Sequence, residues 1–329
     1  HLVSFLPAGD AKKASVYFKA NGMPALNPSR EYMLSSFYQK LGIQVPNSGL
    51  LVIDHVKRGE TYHESPFILQ ASEAVSGVIG KKSLKENQQP ALDLEHFSRQ
   101  VLGTLLTCPV DGKPDNFMIT PVGKSHGWVG IDNDEVFQAP IRKGHIHLKS
   151  VLLLLPAMQE TLSVSTKTLL MHMHPSMLVL EWLDDLKAQE KRYDQLKETL
   201  VLQGNNTKYP RKGGDLSNNY VKELWQDLRL PFLDFQAAVI PTISYLLTQM
   251  QAYVKERKFV TLWELFQCTY PSISLAYHEL LQASKQKPYE ALSLLYDPTS
   301  LVAPKPALLQ NNNNEDPREA TYFQEDVEE

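Results

Sequence analysis

The chain has 329 residues, of which 43% are hydrophobic and 21% are charged, and its formal net charge is −4. These values are typical of a globular protein long enough for two packed lobes, and the negative charge argues against nucleic acid as the main partner. The longest apolar run, residues 151–155, ends at Pro156 and is far shorter than the roughly 20 residues that cross a bilayer. We expect it to be a buried helix, with at most peripheral membrane contact for the protein.

Cysteine usage indicates a reducing compartment. The chain has 2 cysteines, Cys108 and Cys268, which argues against a disulfide framework and favours a cytoplasmic protein. The first residue is His1, and no charged segment followed by an apolar one comes after it. We therefore expect the chain to be part of a longer polypeptide.

The N-terminal part is predicted to contain strands around one helix. Short β-rich runs separated by turn-forming residues predict four strands. Proline after asparagine at Asn27-Pro28, apolar residues at helical spacing and a terminal Gly42 predict a helix of about four turns. The expected strands are residues 2–6, 15–20, 50–56 and 66–71, with the polar residues 57–64 as a hairpin connection.

After a polar loop at residues 81–90, the pattern becomes mainly helical. Residues 203–219 are rich in Gly, Asn, Lys and Pro, so we expect an exposed loop there. The acidic end after Pro304 is typical of disorder. The other expected elements are a helix at residues 92–107, strands at 116–120 and 128–132, and helices over most of 149–202 and 222–296.

Two short motifs carry the candidate chemistry. In Asp111-Gly112-Lys113-Pro114-Asp115-Asn116, an aspartate precedes an asparagine by five positions, and an apolar strand follows. Kinases place at this spacing a carboxylate that accepts the proton of the attacking hydroxyl and an oxygen ligand for a metal ion. Sixteen residues beyond Asn116, Gly130-Ile131-Asp132-Asn133 ends the next strand. Asp132 is therefore expected to be the second ligand of Mg²⁺.

A lysine and a glutamate in the N-terminal part fit the same chemistry. Lys19 ends a predicted strand, and Glu31 follows twelve residues later near the start of the first helix. A strand lysine paired with a helix glutamate holds the α- and β-phosphates of ATP in kinases. The ion pair fixes the direction of the lysine side chain.

With these motifs the sequence resembles the phosphoinositide 3/4-kinase-like and HipA-like branch of the kinase superfamily. The motifs are most similar to those of the type II phosphatidylinositol 4-kinases, which place an Asp-x-x-x-Asp-Asn-aromatic loop before an Ile-Asp-Asn motif. The matching positions are residues 111–117 and 131–133, together with Ser29-Arg30-Glu31 and the helix exit at 41–46. The resemblance covers roughly residues 14–150.

The resemblance implies an α+β, two-lobed protein-kinase-like fold with a mainly helical C-terminal lobe and extension. It implies transfer of the γ-phosphoryl group of ATP, with Mg²⁺, to a hydroxyl acceptor. Lys19 would contact the phosphates and Glu31 would orient it, while Asn116 and Asp132 would hold the metal. The catalytic set would be Asp111, Asp115 and Lys113, and the strand that leads to the adenine site would supply Leu69, Gln70 and Ser72.

The division of the chain follows from the same resemblance and from the composition. The expected parts are a small β-rich lobe with the glutamate helix at residues 1–72, a lobe with the catalytic and metal-binding loops at 73–202, an exposed loop at 203–219, a helical part at 220–303 and a disordered acidic tail at 304–329.

Three alternatives stay open from the sequence. Spacing favours Asp111 as the base, but Asp115 is a second candidate in the same loop. The unusual neighbours Gly112-Lys113 and Asn133-Asp134 leave open a pseudokinase or interaction module that binds nucleotide without turnover. The acceptor is a phosphoinositide lipid or a protein.

Histidines and basic residues bear on the acceptor and on a possible transition metal. A basic cluster follows Asp132 and suits a phosphate-bearing headgroup. Two alternating histidine pairs lack a third ligand at suitable spacing, so we expect no metal site there. The cluster is Arg142, Lys143, His145, His147 and Lys149, and the pairs are His145 with His147 and His172 with His174.

Overall fold

The computed structural model describes residues 2–5, 14–20, 28–53, 56–58, 61–63, 67–86, 91–132, 135–206 and 232–296. This part of the chain is mixed α+β, as expected, with small antiparallel sheets. Its strands are β1 (Leu2–Phe5), β2 (Ala14–Ala20), β3 (Ser48–Ile53), β4 (Val56–Arg58), β5 (Thr61–His63), β6 (Phe67–Glu73), β7 (Val78–Ile79), β8 (Phe117–Val122), β9 (Ser125–Gly130), β10 (Ile141–Arg142) and β11 (His145–Ile146). Its helices are α1 (Pro28–Lys40), α2 (Gly80–Lys85), α3 (Leu94–Thr107), α4 (Val164–His172), α5 (Pro175–Asn206), α6 (Phe232–Lys255), α7 (Leu262–Thr269), α8 (Pro271–Ala283) and α9 (Pro288–Leu295).

The N-terminal sheet has four strands in the order β1-β2-β6-β3, all antiparallel to their neighbours. Strand β6 lies between β2 and β3, so its residues face a partner on each side. Helix α1 contacts β3 and α5. It is held there by Trp182, whose ring centroid lies 4.8 Å from that of Phe37 and whose indole N–H donates to the Met33 carbonyl at 3.2 Å.

Helix α3 carries the chain into the candidate catalytic motif. Asp93 caps its start by accepting a hydrogen bond from the His96 N–H at 2.8 Å, as short polar residues do at helix N-termini. The helix is buried along most of its length and contacts β9 of the second sheet, whose strand order is β7-β8-β9. It ends at Cys108, whose positive φ of 46° turns the chain.

The C-terminal helices form a packed layer against α3 and the segment that follows the second sheet. Helix α6 contacts α4, α5 and α7, and α7 contacts α3 and α8. Thr261 and Glu264 begin α7 with a reciprocal capping box, which satisfies two N–H groups that a helix start otherwise leaves unpaired. None of the helices within the described ranges is long and apolar enough to cross a membrane.

Most predicted strands and helices are confirmed with ends that differ by up to about three residues, and four predictions differ from the structure. The connection at 57–64 contains the short hairpin β4-β5, and the polar loop at 81–90 overlaps helix α2. The apolar run at 151–155 is buried as expected, but it forms a 3-10 turn because Pro156 prevents an α-helix from continuing. Helix α5 extends to Asn206, into the predicted loop at 203–219.

Several predicted features lie outside the described residues. They are the turn between the first two strands, Asn27, the loop beyond Asn206, Asn133-Asp134 and the acidic tail at 304–329. The predictions for these segments stay predictions.

Candidate functional site

The predicted catalytic loop, residues 109–116 and called the catalytic loop below, runs from the end of α3 to the start of β8. It closes with a 3-10 turn, Pro114–Asn116, in which the Asn116 N–H donates to the Lys113 carbonyl at 2.9 Å. Proline at the first position of this turn favours its backbone geometry. The chain then enters β8, so the loop lies directly before a strand of the second sheet.

The structure brings Asp111, Lys113 and Asn116 together. The Asn116 side-chain amide donates to the Asp111 backbone carbonyl at 2.7 Å and to its carboxylate Oδ2 at 3.1 Å. The Lys113 ammonium donates to the same Oδ2 at 2.6 Å. Asn116 is buried and Asp111 is partly buried, so these charge-assisted bonds are stronger than they are in water.

Lys113 is held in its charged form by this arrangement. The hydrogen bond to Asp111 raises the pKa of the Lys113 ammonium, burial lowers it, and the negative charges of Asp111, Asp132 and Asp115 raise it further. The result is a pKa above the usual value of lysine. The loop therefore keeps a cation beside the Asp111 carboxylate.

Asp132 and Asp111 line the same small cavity. The two aspartates and Glu135 line this cavity, together with Tyr38, Gln100, Thr104, Pro109, Gly112, Phe117 and Val136. The two motifs are joined by the backbone, because the Ile131 N–H donates to the Asn116 carbonyl at 2.9 Å. The predicted catalytic and metal-binding motifs thus meet at one place.

The catalytic loop is also bonded to an anchor segment, residues 148–151. The Lys149 N–H donates to the Pro109 carbonyl at 2.8 Å. The Gly112 N–H donates to the Lys149 carbonyl at 2.9 Å, and the Val151 N–H donates to the Gly112 carbonyl at 2.8 Å. A Cβ on Gly112 would lie 2.6 Å from the Lys149 carbonyl oxygen, so this approach requires glycine.

Asp115 has a different environment from Asp111. Its carboxylate accepts a hydrogen bond from the Lys81 ammonium of α2 at 2.8 Å, and both side chains are about 40% exposed. The bond to Asp115 raises the pKa of Lys81. Asp115 is not among the residues that line the cavity of Asp111 and Asp132, and it ties the loop to α2.

For most of the candidate site residues in the N-terminal part, the structure describes the backbone and not the side chain. Lys19 lies opposite Gln70 in the sheet, and Glu31 is buried in the first turn of α1. The side chains of Lys19, Leu69 and Gln70 lie outside the described part, so the pair of Lys19 with Glu31 stays a prediction.

The predicted adenine strand is β6. Gln70 faces Lys19 on one side and Leu50 on the other, so its backbone groups are engaged in the sheet. Ser72, near the end of the strand, is 5% exposed, and its hydroxyl has no hydrogen-bond partner among the described residues. Backbone groups become available for a ligand only after the strand ends at Glu73.

The predicted basic cluster forms a hairpin beside the loop. Strands β10 and β11 pair across a tight turn in which Lys143 and Gly144 have positive φ angles of 51° and 77°. The pKa of His147 is lowered by partial burial first, and then by the positive charges of Lys149, Arg142 and His145. The cluster therefore concentrates cationic charge next to the catalytic loop.

A transition-metal site finds no support among the described residues. No group of three or more His, Cys, Asp or Glu side chains in that part could hold a metal ion. This does not bear on Mg²⁺ held by one Asn and one Asp, because Mg²⁺ commonly keeps waters and substrate phosphate oxygens as its other ligands.

Sequence patterns missed the residues that surround the site from distant elements. Lys81 belongs to a helix that was predicted to be a loop. Tyr38, Gln100 and Thr104 line the cavity from helices, and helical spacing marks such positions only as core. Their proximity to Asp111 follows from tertiary packing.

Comparison with known protein families finds no family that matches this chain, and comparison with curated proteins finds no matching relative.

Proposed function

We propose that this chain is an ATP- and Mg²⁺-dependent phosphotransferase with a two-lobed, kinase-like arrangement, acting on a hydroxyl of a phosphoinositide lipid or a protein. The observation that carries the proposal is the Asn116 amide, which donates to both the carbonyl and the carboxylate of Asp111. This bond places a carboxylate and a neutral oxygen ligand side by side, which phosphoryl transfer requires.

Asp111 is the base in this proposal. Both hydrogen bonds to its carboxylate end on Oδ2, and no described residue donates to Oδ1. Oδ1 can therefore accept the proton of an acceptor hydroxyl. Asp115 is the weaker candidate, because its carboxylate is engaged by Lys81.

Asn116 and Asp132 suit the metal. The Asn116 nitrogen is used by Asp111, so its Oδ1 is the atom that remains for a cation. Asp132 supplies a carboxylate to the cavity that Asp111 also lines, and hard oxygen ligands are those that Mg²⁺ prefers. When bound, Mg²⁺ would neutralise charge on the phosphates of ATP.

In this proposal, Lys113 neutralises negative charge on the phosphoryl group that is transferred. Its ammonium lies 2.6 Å from Asp111 Oδ2 and remains protonated, because the bond to Asp111 raises its pKa. A phosphoryl group that approaches Asp111 would meet this cation. Fixed positive charge near the transferred group lowers the barrier because it need not reorganise during the reaction.

The basic hairpin supports an anionic acceptor. It stands beside the catalytic loop, since Lys149 is bonded to Pro109 and Gly112. Arg142, Lys143 and His145 are exposed on it. Exposed Lys and Arg attract phosphate headgroups of anionic lipids, which favours the phosphoinositide acceptor over the protein one.

The fold of the described residues agrees with a two-lobed arrangement. A four-stranded sheet with helix α1 precedes the catalytic loop, and a mainly helical part follows it. Lys19, Glu31 and the end of β6 are assigned to the nucleotide on this basis.

The test is incubation with labelled ATP and Mg²⁺ against two acceptor panels, phosphoinositide vesicles and generic protein substrates. We expect label to enter the phosphoinositides with the wild-type chain and not with Asp111→Ala or Asp132→Ala. Asp184→Asn, which alters an exposed ion pair on α5, is the matched control. Absence of turnover by the wild type, with ATP binding intact, would exclude the phosphotransferase.

A nucleotide-binding protein without turnover is the second candidate. The short bond between Lys113 and Asp111 favours it, because an ion pair at 2.6 Å restrains the carboxylate that should act as base. Under this alternative, ATP and Mg²⁺ raise the melting temperature and no label is transferred to either panel. A chain that shows neither effect has no nucleotide site.

A further inference from the structure

The anchor segment, to which the catalytic loop is bonded, is itself held by one tyrosine of the C-terminal helices. Tyr277 of α8 is fully buried. Its hydroxyl donates to the Leu148 carbonyl at 3.0 Å and accepts from the Ser150 N–H at 3.0 Å. Burial raises the pKa of Tyr277, so the hydroxyl keeps its proton. One phenol thus satisfies two backbone groups of the anchor segment.

The path from Tyr277 to Asp111 is short and continuous. Lys149, between the two residues held by Tyr277, bonds through its own backbone to Pro109 and Gly112. Pro109 and Gly112 flank Asp111 in the catalytic loop. Movement of the anchor segment would therefore move the base.

Steric contact couples the anchor segment closely to the catalytic loop. A Cβ on Gly112 would lie 2.6 Å from the Lys149 carbonyl oxygen and 2.9 Å from the Ser150 Cα. The two backbones are in direct contact, with no side chain between them. The anchor segment cannot shift toward the loop without displacing it.

Tyr296 also lies against this region. The Lys149 ammonium lies 5.3 Å from the centroid of its ring, and its buried hydroxyl has no hydrogen-bond partner in the described part of the chain. Burial raises the pKa of Tyr296, and the negative charges of Asp111 and Glu135 raise it further. The phenol therefore stays neutral and adds no charge near Asp111.

We propose that Tyr277 is a positioning residue for Asp111: its hydroxyl holds the anchor segment, the anchor segment holds the catalytic loop, and helix α8 is thereby a required part of the active site. This inference rests on the proposed phosphotransferase function. It gives the C-terminal helices a role in catalysis that the catalytic motifs themselves do not indicate.

The experiment compares Tyr277→Phe with Ser98→Ala. Ser98 is fully buried, and its hydroxyl accepts from the Ser163 N–H at 3.1 Å, so the control also removes a buried hydroxyl that pairs with a distant backbone group. Neither Ser98 nor Ser163 bonds to the catalytic loop. We expect both variants to lose a few degrees of melting temperature, roughly 2–4 °C per lost bond.

Kinetics with labelled ATP separate positioning from stability. We expect Tyr277→Phe to lower kcat at least about tenfold with KM for ATP within about twofold, because displaced catalytic groups cost turnover more than ground-state binding. Ser98→Ala should keep kcat within about twofold of the wild type. A kcat for Tyr277→Phe equal to that of Ser98→Ala would overturn the proposal.

A second measurement does not depend on turnover. Hydrogen exchange of the Gly112 and Val151 amides should be faster in Tyr277→Phe than in the wild type, and unchanged in Ser98→Ala. If the wild type transfers no phosphate, the proposed function fails, and exchange at these two amides alone decides whether Tyr277 holds the loop. Equal exchange in both variants would refute the positioning role.

Discussion

The catalytic loop and the N-terminal sheet are held in place in different ways. The sheet is built by regular pairing, in which β6 lies between β2 and β3. The catalytic loop has only an isolated bridge, Gly112 with Ser150, and is bonded to the anchor segment, which in turn is bonded to Tyr277, 127 positions from Ser150. A strand tolerates many sequences, whereas such a loop depends on a few particular groups.

This difference has a consequence for function. The side chains that the structure brings together, Asp111, Lys113 and Asn116, belong to the loop, and the backbone of this loop is bonded to the anchor segment. For Lys19 in the sheet, the structure describes only the backbone, which pairs with Gln70. Mutations in the two regions should therefore have different kinetic effects, on turnover for the loop and on nucleotide use for the sheet.

The largest expected effect concerns the choice between the two loop carboxylates. We expect Asp111→Asn to lower kcat about 10³-fold, because a general base contributes about 10²–10⁴-fold. Asp115→Asn should lower kcat less than about fivefold, because it removes only a half-exposed ion pair with Lys81. Single-turnover assays with labelled ATP measure both. A larger loss in Asp115→Asn would reverse the assignment of the base.

The next effect tests the N-terminal sheet. Lys19→Met should lower kcat/KM for ATP about 10²-fold, because it removes a fixed positive charge from the phosphates. Lys82→Met, on the exposed side of α2, is the matched control and should retain the wild-type value. If the two variants behave alike, the sheet does not bind the nucleotide, and the catalytic loop acts without it.

A smaller effect concerns the basic hairpin. Removing Arg142 and Lys143 together should raise KM for phosphoinositide vesicles about 30-fold with kcat unchanged, since each cation near an anionic surface contributes about 1 kcal/mol. The effect should shrink as salt is added. The double variant Lys187→Ala/Lys191→Ala removes two exposed cations from α5 and controls for net charge. Equal KM values for the two double variants would favour a protein acceptor.

The smallest effect concerns the pH dependence of stability at the helix that leads into the loop. Burial lowers the pKa of His96, against smaller raising effects of the Trp128 carbonyl and Asp93, and a ring nitrogen lies 3.0 Å from that carbonyl. The folded protein therefore binds a proton less readily than the unfolded chain. The stability that neutral His96 contributes is present above the usual histidine pKa of about 6.5 and is lost as pH falls below it.

Urea unfolding between pH 5.5 and 7.5 measures this contribution. The wild type should show a steeper loss of unfolding free energy toward low pH than His96→Asn, by at most about 1.4 kcal/mol per pH unit. His174→Asn, at an exposed histidine, should follow the wild type. Parallel curves for the wild type and His96→Asn would show that His96 does not titrate in this range.

Local sequence patterns predicted the regular elements well. Helix α1 ends near Gly42, whose positive φ of 64° suits glycine at a helix end. Strand β8 follows Asn116, as the short apolar run after this residue predicted. Such elements depend on residues close in sequence, so their periodicity and their end residues are sufficient to find them.

Elements that depend on distant contacts were missed. Helix α2 begins at Gly80, where a Cβ would lie 2.6 Å from the Trp128 ring, and this contact crosses 48 positions of the chain. The run at 151–155 satisfies a helical pattern, but Pro156 and the bonds of Ser150 to distant partners keep it to a single 3-10 turn. Apolar composition alone does not distinguish these outcomes.

The sequence by itself determined the α+β class, the order of most strands and helices, and the spacing of Asp111, Asn116 and Asp132, because the elements follow from periodicity and the spacing is read directly from the chain. Tertiary structure decided which carboxylate stands in the cavity and that Tyr277 holds the anchor segment. These are contacts between groups that meet only when the helices and sheets pack.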